Sequence, residues 1–188
     1  MRSLFVAAGL ALCSGSVLAA DFGVGITARS DDGILYVPIN VSKTFRIEPS
    51  IRYISSDIEL SEDGDLVSQD SDTVELGIGV FGLKQVTDAA HIYYGARLAY
   101  IDTESTTVQT LFGSEIRTES SQDGYRIGPT VGFEYLFGGH FSVGGEVSYT
   151  FQDVEGKSTT SADFFSSVNE VEQKAHGTQT RLIFRYMF

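Results

Sequence analysis

The sequence predicts an all-β fold, an eight-stranded antiparallel up-and-down β-barrel that crosses a membrane. Three observations carry this. Eight segments alternate apolar and polar residues with period two, aromatic residues gather at the ends of those segments, and the connections between them are alternately short and long. Seven of the eight runs are nine to eleven residues long, the length that a tilted strand needs to cross hydrocarbon.

The first twenty residues read as a leader rather than as fold. Arg2 supplies a positive charge, Leu4 to Leu12 form an apolar run, and Val17-Leu18-Ala19-Ala20 supply small residues at the end. This is the pattern of a secretory signal peptide, with cleavage expected after Ala19 or Ala20. The apolar run is too short for a membrane anchor. The single Cys13 falls inside the leader, so the mature segment 21–188 has no cysteine and no disulfide.

The strands follow in order. In 22–29, Phe22, Val24, Ile26 and Ala28 alternate with Gly23, Gly25, Thr27 and Arg29. The segment 34–42 alternates less cleanly, with Val37, Ile39 and Val41 on its apolar face. In 45–53 the apolar face is Phe45, Ile47, Pro49, Ile51 and Tyr53; in 73–81 it is Val74, Leu76, Ile78 and Val80. The segments 91–101, 125–135, 141–151 and 178–188 repeat the pattern, ending on Leu182, Phe184, Tyr186 and Phe188. Ser42–Thr44, Gly82–Ala90 and Leu136–His140 are short connections, whereas 56–72, 103–123 and 152–175 are long and polar. The connection 30–33 is brief. On this reading the short turns are periplasmic and the long connections are extracellular loops.

Alternation alone does not say which face points outward, because a soluble barrel alternates too. Here the polar face combines glycine with arginine and glutamate, which suits a narrow lumen. Phe22, Phe45, Tyr135, Phe141, Tyr186 and Phe188 mark one interfacial girdle. Tyr53, Tyr100, Tyr125, Tyr149 and Phe151 mark the other.

Composition excludes several functions. A formal charge of -12 argues against nucleic acid, whose phosphates need clustered Lys and Arg. The four surface connections hold eighteen acidic and three basic residues, a net of -15, so the remainder is +3 (-12 minus -15). The acidity belongs to the outward face. It repels anionic lipopolysaccharide unless divalent cations or basic groups bridge the two.

The leader, the eight strands and the terminal Thr180-Arg181-Leu182-Ile183-Phe184-Arg185-Tyr186-Met187-Phe188 together resemble small bacterial outer-membrane proteins, the OmpA transmembrane domain and the OmpX/Ail/Opa-like barrels of the porin superfamily. The resemblance implies a Gram-negative outer membrane with both termini periplasmic, surrounded by outer-membrane lipids and lipopolysaccharide. It also implies that Leu182, Phe184, Tyr186 and Phe188 form the signal read by the barrel-assembly machinery. Surface adhesion or envelope integrity, with an extracellular partner the sequence does not name, is a further implication. The sequence ends at the barrel, so OmpA's wall-anchoring role is not expected, and a monomer is.

The candidate site is the lumen. Arg46, Arg52, Arg97, Arg126, Arg181 and Arg185 share it with Glu48, Glu75, Glu134 and Glu146. Eight strands enclose only enough room for side chains, and buried charges must pair, so an ionic plug is expected, with Arg52–Glu75 as its clearest pair. A narrow low-conductance pore is the alternative. A lipid-modifying enzyme is the third reading; it would use His140 and Ser142, but the turn position of His140 and the inward parity of Ser142 count against it. No catalytic residue, cofactor or metal centre is expected. Glu62, Asp63 and Asp65 offer carboxylates to a divalent cation, without the spacing of a calcium loop, and a solvated acidic loop is the better account of them. Phe164-Phe165, Val168 and Leu111-Phe112 are apolar residues in the long connections, placed to fold over the mouth or to form a contact surface.

Overall fold

The computed structural model describes residues 21–28, 33–62, 65–111, 114–162 and 165–188. The leader at 1–20 and its cleavage position lie outside the described residues, as do Asp31, Asp32, Asp63, Phe112 and Phe164. The strand segments are β1 (Asp21–Ala28), β2 (Gly33–Tyr36), β3 (Ile39–Ser42), β4 (Phe45–Glu62), β5 (Asp65–Thr87), β6 (Ala90–Leu111), β7 (Ser114–Phe137), β8 (Phe141–Ala162) and β9 (Phe165–Met187).

All pairings are antiparallel, and β1 meets β9 from Gly23↔Met187 to Ala28↔Leu182, which closes the sheet into a barrel. β2 and β3 are one barrel strand in two pieces: both lie between β1 and β4. The break falls at Val37-Pro38 because proline has no N–H for a ladder. The neighbours bridge it, with Gly23 N–H donating to the Pro38 carbonyl and Val37 N–H to the Pro49 carbonyl, both at 2.9 Å. Counted this way the barrel has eight strands, and the uneven alternation of 34–42 has its cause.

The long connections are not loops. β4 and β5 stay paired up to Glu62↔Asp65, β6 and β7 up to Leu111↔Ser114, and β8 and β9 up to Ala162↔Phe165. The expectation of loops at 56–72, 103–123 and 152–175 is therefore corrected to hairpins carried on above the barrel. Their sequence is rich in Thr and Val, whose branched side chains suit strands, and each rung extends a register already set below. β1 and β2 stop early, so the raised wall has a notch on their side.

The outer face matches the predicted parity. On β7, Tyr125, Ile127, Val131, Phe133 and Tyr135 are all exposed, while Gly128, Thr130, Gly132 and Glu134 between them are buried. The ten steps from Tyr125 to Tyr135, at about 3.3 Å each and tilted by about 40°, span roughly 25 Å, the height of a membrane barrel's apolar band. Both aromatic sets stand exposed at its edges. At the turn end Gly138 (φ 61°) and Gly139 (φ 85°) make the tight β7–β8 turn, in a backbone region that costs glycine nothing.

Candidate functional site: an ionic interior

Strand parity turns all ten predicted charges inward, and the structure divides them into two clusters. The larger sits toward the short-turn end. Arg46 on β4 donates to Glu134 on β7 through both terminal nitrogens, at 3.0 and 2.8 Å, and to Asn40 through Nε at 2.8 Å. Arg185 on β9 bridges Glu134 at 2.6 Å and Glu48 at 2.7 Å. Arg97 on β6 donates to Glu48 at 2.8 Å and to both oxygens of Glu146, at 2.8 and 2.6 Å. Arg181 reaches Glu146 at 3.6 Å. Glu48, Glu134 and Arg185 are at most 1% exposed. Charge-assisted, forked contacts of this kind are the strong class of hydrogen bond.

The smaller cluster lies toward the raised hairpins. Arg52 and Glu75 are register partners on β4 and β5 and meet at 2.5 Å. Arg126 on β7 crosses the lumen to the same Glu75 oxygen at 3.0 Å and also donates to Gln152. Between the clusters is a cavity of about 20 Å³, room for about one water-sized sphere.

Three interior aromatics lie outside the expected set. Tyr36, Phe81 and Tyr93 are at most 1% exposed and form an apolar cluster with Leu83 and Ile183. They press on the cations: the Arg185 guanidinium lies 5.4 Å from the Tyr36 ring and 5.0 Å from Tyr93, and that of Arg97 lies 4.8 Å from Phe81. Such stacking is attractive where water is absent. Glycines make the space. A Cβ on Gly132 would sit 2.2 Å from the Tyr93 ring, and one on Gly25 would sit 2.3 Å from Tyr36. The signal available in the sequence is an inward-parity tyrosine opposite glycine, since Gly25↔Tyr36 and Tyr93↔Gly132 are register partners.

Other candidates fall elsewhere. Leu182, Phe184 and Tyr186 lie on the outer face of β9 and Phe188 follows its end, with Tyr186 and Phe188 in ring contact at 5.5 Å. Ser142 is buried in the lumen, while the His140 ring stacks on Tyr186 and its Nδ1 lies 2.9 Å from the Met187 carbonyl. Of the acidic group Glu62, Asp63, Asp65, Asp63 lies outside the described residues, and the backbones of Glu62 and Asp65 form the last rung of the hairpin.

The raised hairpins are two-faced. Their described acidic side chains stand on the continuation of the lipid-facing side, where Asp102, Asp123, Glu155 and Glu172 are paired rung to rung across four strands. Among the described side chains, the opposite face carries no charge; Thr73–Thr103 and Thr118–Thr160 hydroxyl contacts run along it. Like charges on opposite rungs repel. Lys174 offsets part of this, contacting Glu172 at 2.5 Å and Asp153 at 3.7 Å. Its hydrogen bond holds the Glu172 carboxyl below the usual range, and Glu172 and then Asp153 hold the Lys174 ammonium above its own.

A closed antiparallel barrel with an apolar outer band and a charged interior defines a small transmembrane β-barrel, and the fold is that of outer-membrane proteins. No family model and no curated protein matches the chain. Among solved structures it is similar to a major outer membrane protein from Thermus thermophilus, with 18% identity over 90% of this chain and 100% of that one and a TM-score of 0.58. Ail, the attachment invasion locus protein of Yersinia pestis, gives 13% identity over 90% and 95% of the two chains and a TM-score of 0.47. CarO of Acinetobacter baumannii gives 12% over 93% and 100%, with a TM-score of 0.41. At these identities the likeness to the Thermus protein shows the fold alone.

Proposed function

We propose that this protein is a non-conducting barrel of a Gram-negative outer membrane, with periplasmic termini, whose charged interior is a permanent plug. The plug holds a raised acidic wall at the cell surface for envelope integrity or contact with other molecules. The observation that carries the reading is the interior itself: Glu48, Glu134 and Glu146 tie β4, β6, β7, β8 and β9 together across the lumen, and the cavity between the two clusters is about 20 Å³. Opening a path for ions would require several forked pairs to part at once, each at the cost of stranded charge.

Planar-bilayer recordings test the plug. The purified protein is expected to give no unitary steps, and reproducible channels altered by Glu75→Ala would establish a narrow pore instead. The surface role is tested by deletion: loss of the protein is expected to sensitise cells to detergent and chelator and to reduce adhesion, and an unchanged phenotype in all three assays would remove it.

The reading is of a monomer and not of an enzyme. It is supported by the separation of Ser142, inside the lumen, from His140, which is held on the outer turn. The outward row Leu182, Phe184, Tyr186, Phe188 fits recognition by the assembly machinery during insertion into a lipopolysaccharide-bearing membrane.

A further inference from the structure

The larger interior cluster does not balance. Among the described residues, Arg46, Arg97, Arg181 and Arg185 face Glu48, Glu134 and Glu146, four cations against three anions. The surplus falls on Arg181. The other three guanidiniums each hold a carboxylate within 2.8 Å. Arg181 has only Glu146 at 3.6 Å, and that carboxylate already accepts from Arg97, Tyr93 and Ser148. The single hydrogen bond of Arg181 goes to the Gln179 amide oxygen at 3.1 Å. Its side chain is 7% exposed, and its Nε is buried without a partner. A charge left in this state between the two aromatic girdles is costly unless something compensates it.

The cavity of about 20 Å³ lies against this side chain. Arg181, Arg97 and Arg126 line it, along with the hydroxyls of Ser148 and Thr150 and one carboxylate, Glu75, already engaged by Arg52 and Arg126. Arg97 and Arg126 hold carboxylates at 2.6 and 3.0 Å, so the charge left facing the space is that of Arg181, which makes its potential positive. Its volume suits a single water-sized particle and leaves no room for phosphate, sulfate or an organic acid. A water would fill the space without answering the charge.

We propose that the cavity binds one small monovalent anion, chloride in the surroundings of a cell, held by the Arg181 guanidinium. The anion completes the charge balance of the larger cluster and acts as a structural counter-ion at the centre of the barrel. This rests on the closed lumen proposed above, because an open path would exchange the ion for water.

Crystals of the detergent-refolded protein grown in sodium bromide test it. An anomalous bromide peak within hydrogen-bonding reach of Arg181 is expected, and ordinary water density there overturns the proposal. Thermal unfolding gives a second measurement: the wild-type midpoint is expected to be higher in chloride than in gluconate at equal ionic strength. Equal wild-type midpoints overturn the proposal. Arg181→Met is expected to lose both the peak and the chloride dependence, and a bromide peak that survives it overturns the assignment to Arg181. If that variant does not fold, the wild-type map decides alone. A missing peak with silent bilayers removes the anion and leaves the closed lumen standing, whereas unitary conductance removes the closed lumen whatever the map shows.

Discussion

Glu48→Leu is expected to cost the barrel about 3–5 kcal/mol, the range for stranding a buried charge partner. Glu48 is 0% exposed, accepts from Arg97 and Arg185, and lies 3.7 Å from Arg46. Removing it leaves four guanidiniums against two carboxylates in a largely buried space. The companion variant Glu48→Leu/Arg185→Leu takes out one charge of each sign, which restores the original surplus of one cation. Glu134 keeps its forked contact with Arg46 in that variant. The double variant should therefore recover most of the loss, since an apolar replacement of a whole buried pair is close to neutral. Urea midpoints in detergent, with the mobility of unboiled samples on gels, report both. A single variant within ~1 kcal/mol of wild type, at the level of an ordinary surface change, would show that the interior charges do not hold the barrel together.

Gly132→Val is expected to cost about 1–3 kcal/mol through overpacking. A side chain at Gly132 meets the Tyr93 ring at 2.2 Å, and that ring cannot swing aside. It is fully buried, set edge-on to Phe81 at 5.2 Å and under the Arg185 guanidinium at 5.0 Å. Adding Tyr93→Ala should give back part of the loss, because the valine then occupies vacated space. A double-mutant cycle checks this, as residues that share one volume are not additive. Strict additivity would mean that the glycine and the ring do not compete.

Much of this is legible in the sequence, for a reason that differs from residue to residue. The outward face of Tyr125 to Tyr135 can be read because a strand's side chains alternate without drift. The Arg52–Glu75 pair can be read because the two residues oppose each other on adjacent strands. Arg185–Glu48 and Arg46–Glu134, 137 and 88 residues apart, cannot. They join strands across the lumen, and spacing along the chain says nothing about that distance. The raised hairpins resemble loops in sequence because their apolar periodicity fades where lipid ends. The strand persists there through its ladder and its threonines rather than through burial. Tyr36, Phe81 and Tyr93 are hidden for another reason. Large apolar residues on a polar face look like interruptions until the glycines beneath them are in place.

The seam between β1 and β9 has a consequence for how the molecule is made. Every other long ladder joins neighbours in the chain through a short turn and can zip as soon as that turn forms. Gly23 must instead find Met187, and Ala28 must find Leu182, over nearly the whole polypeptide. Loop closure over that length comes late and is slow. Arg185 sits on β9 within this seam, and its contacts with Glu48 and Glu134 need the ring to be nearly shut. Pairing Glu48 and Glu134 with Arg185 and completing the ring are thus one event. A half-curled ribbon would carry unmatched charge on its concave side, which makes its entry into hydrocarbon costly.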